Sequence, residues 1–281
     1  MNVDFDFTHP EVLDAVRRAL AEDIGAGDIT TELTVPAGRK ASGAFFAREP
    51  MVVAGVEVLE IVYAERGGVD SLELLLPSGC RAEPGDCLAR VRGAAQTLLT
   101  CERTALNFIQ RLSGVATVAS RYVAEAAGTR CKILDTRKTT PGLRRLEKMA
   151  AAAGGVTNHR LGLFDAILIK NNHIAAAGSV TAALQAVAGQ PIPAEIEVRT
   201  LSELDEALAC GAKHLLLDNL SPEDARQWIS HIAGRATVEL SGGITLETAA
   251  AYVRTGADFI SCGAITHSAS ALDINFRLTL D

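Results

Sequence analysis

Six short apolar runs alternate with helix-like segments between residues 131 and 261, and this alternation limits the possible folds more than any other feature. The runs cover residues 131–134, 166–169, 194–198, 214–217, 236–240 and 258–261. Strands that alternate with helices predict βα units and a parallel sheet. The later runs begin about every 20 to 22 residues, a spacing typical of a (βα) barrel. Because a closed barrel needs eight strands, we expect an α/β fold with an open or incomplete (βα) barrel of about six or seven strands.

The segments between the runs carry signals for helix ends. Thr200 and Glu203 stand at capping-box spacing, and Ser221-Pro222 combines an N-cap residue with proline at the first helical position. Three glycines are placed to end helices: Gly211, Gly234 and Gly256. These signals predict a separate helix after each of the third, fourth and fifth strands.

The first hundred residues follow a different pattern. Residues 10–21 predict a helix, and short β-like runs at 43–47, 52–58, 71–76 and 88–91 are separated by turns. A helical pattern at 97–112 bridges the two halves, and Ser113-Gly114 is a plausible boundary. We therefore expect an N-terminal α+β domain over 1–113, a (βα) barrel domain over 114–269, and a tail, about 270–281, that can pack back on the first domain.

The composition argues against several classes of protein. The chain has 281 residues, of which 48% are hydrophobic, so it can bury a sizeable core. Its apolar runs are well short of the roughly 20 residues that span a bilayer, and residues 1–6 lack the basic start and apolar core of a signal peptide. Six scattered cysteines without C-x-x-C spacing suit buried thiols in a reducing compartment. We expect a cytoplasmic protein that binds neither membranes nor nucleic acid, because its net charge is −7.

Cationic side chains nevertheless gather between residues 135 and 173. They are Arg137, Lys138, Arg144, Arg145, Lys148, His159, Arg160 and Lys170. A solvated basic helix face accounts for Arg144, Arg145 and Lys148, which stand at helical spacing. It does not account for Arg137, Lys138 and Lys170, which follow apolar strand-like runs. Since α/β proteins bind ligands at the carboxyl ends of their strands, these cations predict an anion pocket.

Carboxylates are expected at the same strand ends. In residues 194–198, period-two alternation places Glu195 and Glu197 on one face of a strand. Glu197 is nearer the carboxyl end, and Asp218 follows the next run in a similar place. Glu195 has an alternative role as an inward polar residue in a structural salt bridge. Carboxylates that converge with Lys170 suit metal binding, ribose recognition and the stabilisation of a cation.

Two loops of small residues follow the last two runs. Ser241-Gly242-Gly243 follows the fifth run, and Ser261 and Gly263 end the sixth. Glycines allow backbone N–H groups to face a phosphate, and the loops after the last two strands form the common phosphate site of such barrels. Because no G-x-G-x-x-G motif follows a strand, the residues favour phosphosugar transfer over hydride transfer.

A series of motifs also carries a family resemblance. In order, they are EDIG at 22–25, GDITT at 27–31, ERTALN at 102–107, SGVAT at 113–117, DTRKTTPG at 135–142, NHR at 158–160, residues 168–174 and SGGI at 241–244. Together they resemble the quinolinate phosphoribosyltransferase family from about residue 10 to 276. The resemblance implies that quinolinate, a pyridine 2,3-dicarboxylate, reacts with 5-phosphoribosyl 1-pyrophosphate (PRPP) in the presence of Mg²⁺. The products are nicotinate mononucleotide, pyrophosphate and CO2, in de novo NAD biosynthesis.

The resemblance also implies a role for each candidate residue. The dicarboxylate is bound by Arg103, Arg137, Lys138, His159 and Arg160, and the 5-phosphate by Ser241, Gly242, Gly243, Ser261 and Gly263. Lys138 and Lys170 take pyrophosphate or carboxylate charge. Glu197 and Asp218 hold ribose hydroxyls and Mg²⁺, and together with the two lysines they form the catalytic set. Arg103 precedes the barrel, and the resemblance implies a homodimer, or a higher oligomer, in which it reaches the partner's site.

Two departures and two alternative functions accompany this resemblance. The approach to Asn158 is less glycine-rich than in the family, and Arg199 stands where an acidic residue is frequent. One alternative is a related enzyme with another substrate, such as a nicotinate phosphoribosyltransferase or the related protein associated with molybdenum transport. The other is a non-catalytic metabolite-binding regulator. The retained cations argue against the first alternative, and the retained Glu197 and Asp218 argue against the second.

Overall fold

The computed structural model describes residues 3–280, which form two compact units. The barrel unit comprises Arg121–Lys138 and Val156–Ala264. The mixed unit comprises residues 3–120, Thr139–Gly155 and residues 265–280. Three stretches that follow residue 113 therefore belong to the mixed unit: 114–120, Thr139–Gly155 and 265–280.

The secondary structure alternates in type along the chain. The first part contains α1 (Pro10–Ile24), α2 (Ile29–Thr34), β1 (Lys40–Ala47), β2 (Met51–Val52), α3 (Val58–Ala64), β3 (Ser71–Leu74), β4 (Arg81–Ala82), β5 (Cys87–Ala94) and α4 (Ala95–Glu125). The second part contains β6 (Lys132–Leu134), α5 (Arg144–Ala153), β7 (Ile167–Ile169), α6 (Asn171–Ala177), α7 (Val180–Ala186), β8 (Ala194–Val198), α8 (Leu201–Ala209), β9 (His214–Asp218), α9 (Pro222–Ile232), β10 (Thr237–Ser241), α10 (Leu246–Val253), β11 (Phe259–Ser261), α11 (Ala264–His267) and β12 (Ile274–Leu280).

The mixed unit contains a four-stranded antiparallel sheet in the order β12-β1-β5-β3. Alternate residues of β1 are buried, as expected for a strand with one face on a core. The Phe276 ring lies where a Cβ atom of Gly43 would stand, so only glycine fits at that position. The same ring packs 4.8 Å from the ring of Phe45. The strand near the C-terminus thereby covers the first strand of the chain.

The long helix α4 runs without a break through Ser113-Gly114, which sequence analysis takes as a boundary. The Ser113 hydroxyl accepts a hydrogen bond from the Ala54 N–H, which satisfies a buried loop donor. The Ser270 carbonyl lies where a Cβ atom of Gly114 would stand. These two residues are small because other backbone packs closely against the helix. One expectation for this unit is wrong: the β-like run at 52–58 contains only the end of β2, and α3 starts at Val58.

The segment Thr139–Gly155 is held in the mixed unit by a buried ion pair. Arg111 on α4 donates to Glu147 Oε1 from Nε at 3.0 Å and from Nη2 at 2.7 Å. Glu147 is completely buried and also accepts from the Thr140 N–H and hydroxyl. The remaining Arg111 donors reach the carbonyls of Thr266 and Ala269. A buried carboxylate with this many donors keeps α5 and the preceding loop in one position.

The barrel unit contains a six-stranded parallel sheet in the order β6-β11-β10-β9-β8-β7. Each strand lies within one residue of the run that predicts it, and an isolated bridge joins Leu134 to Thr157 beyond β6. The open (βα) barrel of six strands is therefore confirmed. The capping box of Thr200 and Glu203 and the proline after Ser221 begin their helices as expected. Within residues 3–280, no helix is long and apolar enough to cross a membrane.

Candidate active site

The register of the parallel strands brings polar residues together at their carboxyl ends. Ile169 of β7 pairs with Ile196 of β8, so the next residues, Lys170 and Glu197, lie side by side. Val198 likewise pairs with Leu217, so the next residues, Arg199 and Asp218, lie side by side. The aliphatic side chains in these pairs are buried and fix the register.

Glu197 and Asp218 converge on a single guanidinium nitrogen. Arg199 Nη2 lies 2.8 Å from Glu197 Oε1 and 2.9 Å from Asp218 Oδ2. Lys170 Nζ lies 3.7 Å from the other Glu197 oxygen. Glu197 is only 4% exposed, whereas the Arg199 and Lys170 side chains are about half-exposed. A buried carboxylate is therefore paired with two half-exposed cations, which follow the carboxyl ends of β7 and β8.

A buried aspartate orients the Asn158-His159-Arg160 segment. Asp135, which directly follows β6, accepts from Asn158 Nδ2 at 2.7 Å and from the His159 N–H at 2.8 Å. The Arg160 N–H donates to His159 Nδ1 at 2.7 Å. Because Nδ1 accepts a hydrogen bond, we assign the neutral imidazole with its proton on Nε2. The Nε2–H group then points away from this segment as a donor.

His159 faces two carboxylates, one of which sequence analysis missed. His159 Nε2 lies 3.5 Å from an oxygen of Glu195 and 3.5 Å from an oxygen of Glu239. Glu239 is 3% exposed, and its Oε1 has no hydrogen-bond partner among the described residues. Burial, followed by the nearby Glu195 charge, raises the pKa of Glu239 to about 7. The Glu239 carboxyl beside His159 is therefore partly protonated near neutral pH.

The signal for Glu239 was present in the sequence. In residues 237–241 a carboxylate alternates with apolar residues, as Glu195 and Glu197 do in β8. The side chain of Glu239 consequently lies on the same face of the sheet as that of Glu195. Glu195 lies near the neutral His159, so its alternative role in a structural salt bridge stays a prediction.

Arg137 and Arg160 form a pair of neighbouring cations. Burial, followed by repulsion from Arg137, lowers the pKa of Arg160. Arg160 Nη1 also donates to the Ala166 carbonyl at 3.3 Å, just before β7 begins. Two like charges that are held together favour a bound anion between them. The guanidinium fork suits a planar carboxylate.

The two small-residue loops meet at the end of the sheet. The Ser261 hydroxyl donates to the Ser241 hydroxyl at 3.0 Å. Gly242 and Gly243 have φ values of +96° and +61°, which favour glycine. A Cβ atom at Gly242 would collide with Asn219, whereas one at Gly243 would meet no atom within 4 Å. Gly242 therefore shapes the turn, and Gly243 borders open space of the kind that a phosphate could fill.

Three other candidates complete the set predicted from the sequence. Lys138 is exposed, and Gly263 follows β11 directly in front of α11. Arg103 lies on α4 in the mixed unit, where it is exposed, and its place in the site stays a prediction.

The expectation of buried thiols is confirmed only in part: Cys101, Cys131 and Cys262 are buried, but Cys210 is exposed and the other two are intermediate. Burial raises the pKa of Cys262 to about 12, so it is not a ready nucleophile.

Two groups of side chains could hold a cation. Glu197 and Asp218 offer hard oxygen donors, and both bind the same positive charge, that of Arg199. This pair of carboxylates therefore fits Mg²⁺. His159, Glu195 and Glu239 also bring one ligand atom each to within 4.8 Å of one another. The imidazole makes this second group less suited to magnesium.

Comparison with known proteins identifies the family. The model of the quinolinate phosphoribosyl transferase N-terminal domain matches residues 28–113, and that of the C-terminal domain matches residues 115–277. The chain belongs to the quinolinate phosphoribosyl transferase family. It is 47% identical over 273 residues to the carboxylating nicotinate-nucleotide pyrophosphorylase of Mycobacterium leprae, a match that covers 94% of this chain and 96% of the relative. A probable enzyme of the same name from Bacillus subtilis is 38% identical, covering 97% of this chain and 95% of that one.

Solved structures of family members agree with this fold. The nicotinate-nucleotide pyrophosphorylase of Francisella tularensis superposes with a TM-score of 0.89 at 37% identity, covering 96% of this chain and 98% of that one. Membership of the quinolinate phosphoribosyl transferase family therefore extends over both units. The family resemblance recognised from the motifs is confirmed.

Proposed function

We propose that this chain transfers the phosphoribosyl group of PRPP to quinolinate with decarboxylation, which yields nicotinate mononucleotide, pyrophosphate and CO2. The observation that carries the proposal is that a member of this family has both a cationic site and a carboxylate site in its barrel unit. Arg160 interacts electrostatically with Arg137 and with Glu195 of β8, and Glu197 of the same strand converges with Asp218 on Arg199. A dianionic acceptor and a cation-like ribose call for these opposite charges.

The arginine pair is suited to the dicarboxylate. Arg137 and Arg160 each offer a planar fork, and the His159 Nε2–H adds a neutral donor. With its carboxylates bound, the pyridine ring would direct its nitrogen toward the sugar. Holding the two reactants in this way converts an encounter in solution into an oriented reaction.

In the transfer step, the ring nitrogen forms a bond to C1 of the ribose as the bond from C1 to the pyrophosphate oxygen breaks. The electron pair of the broken bond leaves with pyrophosphate. The bond to the 2-carboxylate then breaks, CO2 departs, and the electron pair left on C2 takes up a proton. Because the quaternised nitrogen stabilises that electron pair, the second step needs little help from acid or base groups.

Glu197 and Asp218 would act on the ribose. Their negative charge stabilises the positive charge that develops at C1, and their oxygens can accept from ribose hydroxyls. Mg²⁺, when bound at this pair with the pyrophosphate, would neutralise charge on the leaving group. Lys170 and Lys138 would hold the pyrophosphate or a carboxylate, and the loops that contain Ser241 and Gly263 would hold the 5-phosphate.

Assembly and location complete the proposal. We infer that the active form is a homodimer in which Arg103 of each subunit completes its partner's dicarboxylate site. Its exposed position on α4 leaves it accessible for that contact. We infer a cytoplasmic location from the composition and from the unpaired state of all six cysteines.

The test is the release of CO2 from quinolinate labelled in its 2-carboxyl group. We expect label to be released by the purified chain only when PRPP and Mg²⁺ are both present. Arg160→Gln should abolish the release because the fork and its charge are lost. Arg235→Gln is a matched control, because Arg235 precedes β10 and so lies at the opposite end of the sheet. No release by the folded wild-type protein with both substrates present would contradict the proposal.

A further inference from the structure

Arg199 occupies the position between the two ribose-site carboxylates. A single nitrogen, Nη2, contacts both Glu197 and Asp218, at 2.8 and 2.9 Å. The Arg199 backbone is fixed, because its N–H donates to Glu203 Oε2 at 2.7 Å within the cap of α8. The side chain itself is 46% exposed. The guanidinium can therefore move while its point of attachment stays in place.

The charges at this position balance without a metal ion. Glu197 and Asp218 supply two negative charges, and Lys170 and Arg199 supply two positive ones within ion-pair distance. A divalent cation that approached the free protein would meet a neutral group and would have to displace the guanidinium. The pair fits Mg²⁺ in donor chemistry, but Arg199 competes for the same oxygens.

Resting on the proposed function, we propose that Arg199 controls the entry of the metal ion. In the free protein it closes the Glu197–Asp218 pair to divalent cations. When PRPP arrives, the guanidinium turns to the pyrophosphate and the pair receives the Mg²⁺ that PRPP carries. Arg199 thus selects the metal–PRPP complex over the free metal ion.

Arg199 should bind pyrophosphate more strongly than it binds the two carboxylates. The Arg199 guanidinium is half-exposed but Glu197 is buried, so the guanidinium leaves the carboxylates at little cost only when Mg²⁺ takes its place. Pyrophosphate carries several charges and accepts the guanidinium fork at two oxygens, which is a stronger contact. Moving Arg199 also restores negative charge at Glu197 and Asp218 when the metal ion comes within reach.

The first experiment measures metal binding without any substrate. Mn²⁺ is titrated into the protein, and the free ion is followed by electron paramagnetic resonance. We expect Arg199→Met to bind Mn²⁺ about tenfold more tightly than wild type, because a positive charge a few ångströms from the metal has gone. Arg226→Met is the matched control: Arg226 is 47% exposed and pairs with Glu223 at 2.8 Å instead of with the site. It should bind Mn²⁺ as wild type does.

Two further variants locate the effect. The double variant R199M/D218N should lose the gain in Mn²⁺ affinity, since one of the two carboxylates has become an amide. Arg199→Lys should keep the metal out as wild type does, because the charge remains. If wild type already binds Mn²⁺ as tightly as R199M does, or if the gain persists in the double variant, the proposal is wrong.

The second experiment measures PRPP binding by calorimetry at fixed Mg²⁺ without quinolinate. Both R199M and R199K should bind PRPP several-fold more weakly than wild type, because both lack the fork. Unchanged PRPP affinity in both variants would overturn the transfer of Arg199 to pyrophosphate. Neither titration requires turnover, so a failure here is distinguishable from a failure of the proposed reaction in the CO2 assay.

Discussion

Glu239→Gln tests whether the buried carboxyl next to His159 is protonated in the folded protein. Glu239 is 3% exposed, and its pKa is raised to about 7 from an ordinary value of 4.5, chiefly by burial and next by Glu195. Between these two values the folded protein keeps a proton that the unfolded chain has lost. The contribution of Glu239 to the free energy of unfolding is therefore fully present below pH 4.5 and is lost as the pH rises through 7.

The magnitude follows from the same two values. The full loss corresponds to about 3 kcal/mol, most of which falls between pH 5 and pH 8. Glutamine resembles the protonated acid in shape and does not titrate, so the variant keeps the neutral form throughout. We expect Glu239→Gln to be close to wild type in unfolding free energy at pH 5 and more stable by about 2 kcal/mol at pH 8.

The assay is urea denaturation of both proteins at the two pH values. Glu206→Gln provides a control of opposite sign, because hydrogen bonds from Thr181 lower the pKa of the partly buried Glu206. Ionised Glu206 stabilises the wild type as the pH rises. The free energy of unfolding of Glu206→Gln should therefore not increase relative to that of wild type. A difference between Glu239→Gln and wild type that does not change from pH 5 to pH 8 would refute the protonated buried carboxyl.

Three further predictions concern the ligands and the assembly. Arg137→Lys keeps the charge but loses the fork, so calorimetry should find quinolinate binding weaker by about 1.5–3 kcal/mol with the thermal unfolding midpoint almost unchanged; equal affinity would remove Arg137 from the site. Gly243→Val should weaken PRPP binding while sparing quinolinate, whereas Gly242→Ala should lower stability because its Cβ would collide with neighbouring backbone; equal loss of both ligands in Gly243→Val would indicate a misfolded loop. If Arg103→Ala and Lys138→Ala are each inactive, mixing them with verified subunit exchange should restore roughly a quarter of wild-type activity, since half the dimers then hold one intact site; no recovery would place Arg103 in its own subunit's site.

The barrel unit could be predicted closely because its signals are local. Each strand is a short apolar run between glycine or capping residues, so its ends are marked in the sequence. The mixed unit was harder because its pairings are long-range. The run at 52–58 has β-like composition, but most of it packs as a turn and the start of α3. Ser113-Gly114 coincides with the division between the two family-model domains, but the sequence does not reveal that α4 continues through it.

The site could be predicted in its residue types but not in its ion pairs. Strand ends and motifs placed Glu197, Asp218 and Lys170 at one edge of the sheet, and the register brings them together. Glu239 was missed because its alternation with apolar neighbours reads as an ordinary buried strand. The position of Arg199 between two carboxylates depends on a side-chain rotamer, which no sequence pattern specifies.

The most direct test of the proposed function is the stoichiometry of products from one incubation with quinolinate, PRPP and Mg²⁺. Nicotinate mononucleotide, quantified by mass spectrometry, should appear in equal amounts with pyrophosphate and with CO2 from the 2-carboxyl group. Nicotinate offered in place of quinolinate should give little product, because a monocarboxylate leaves part of the cationic site unpaired. Product formed from nicotinate at a comparable rate, or mononucleotide formed without CO2 release, would contradict the proposed reaction.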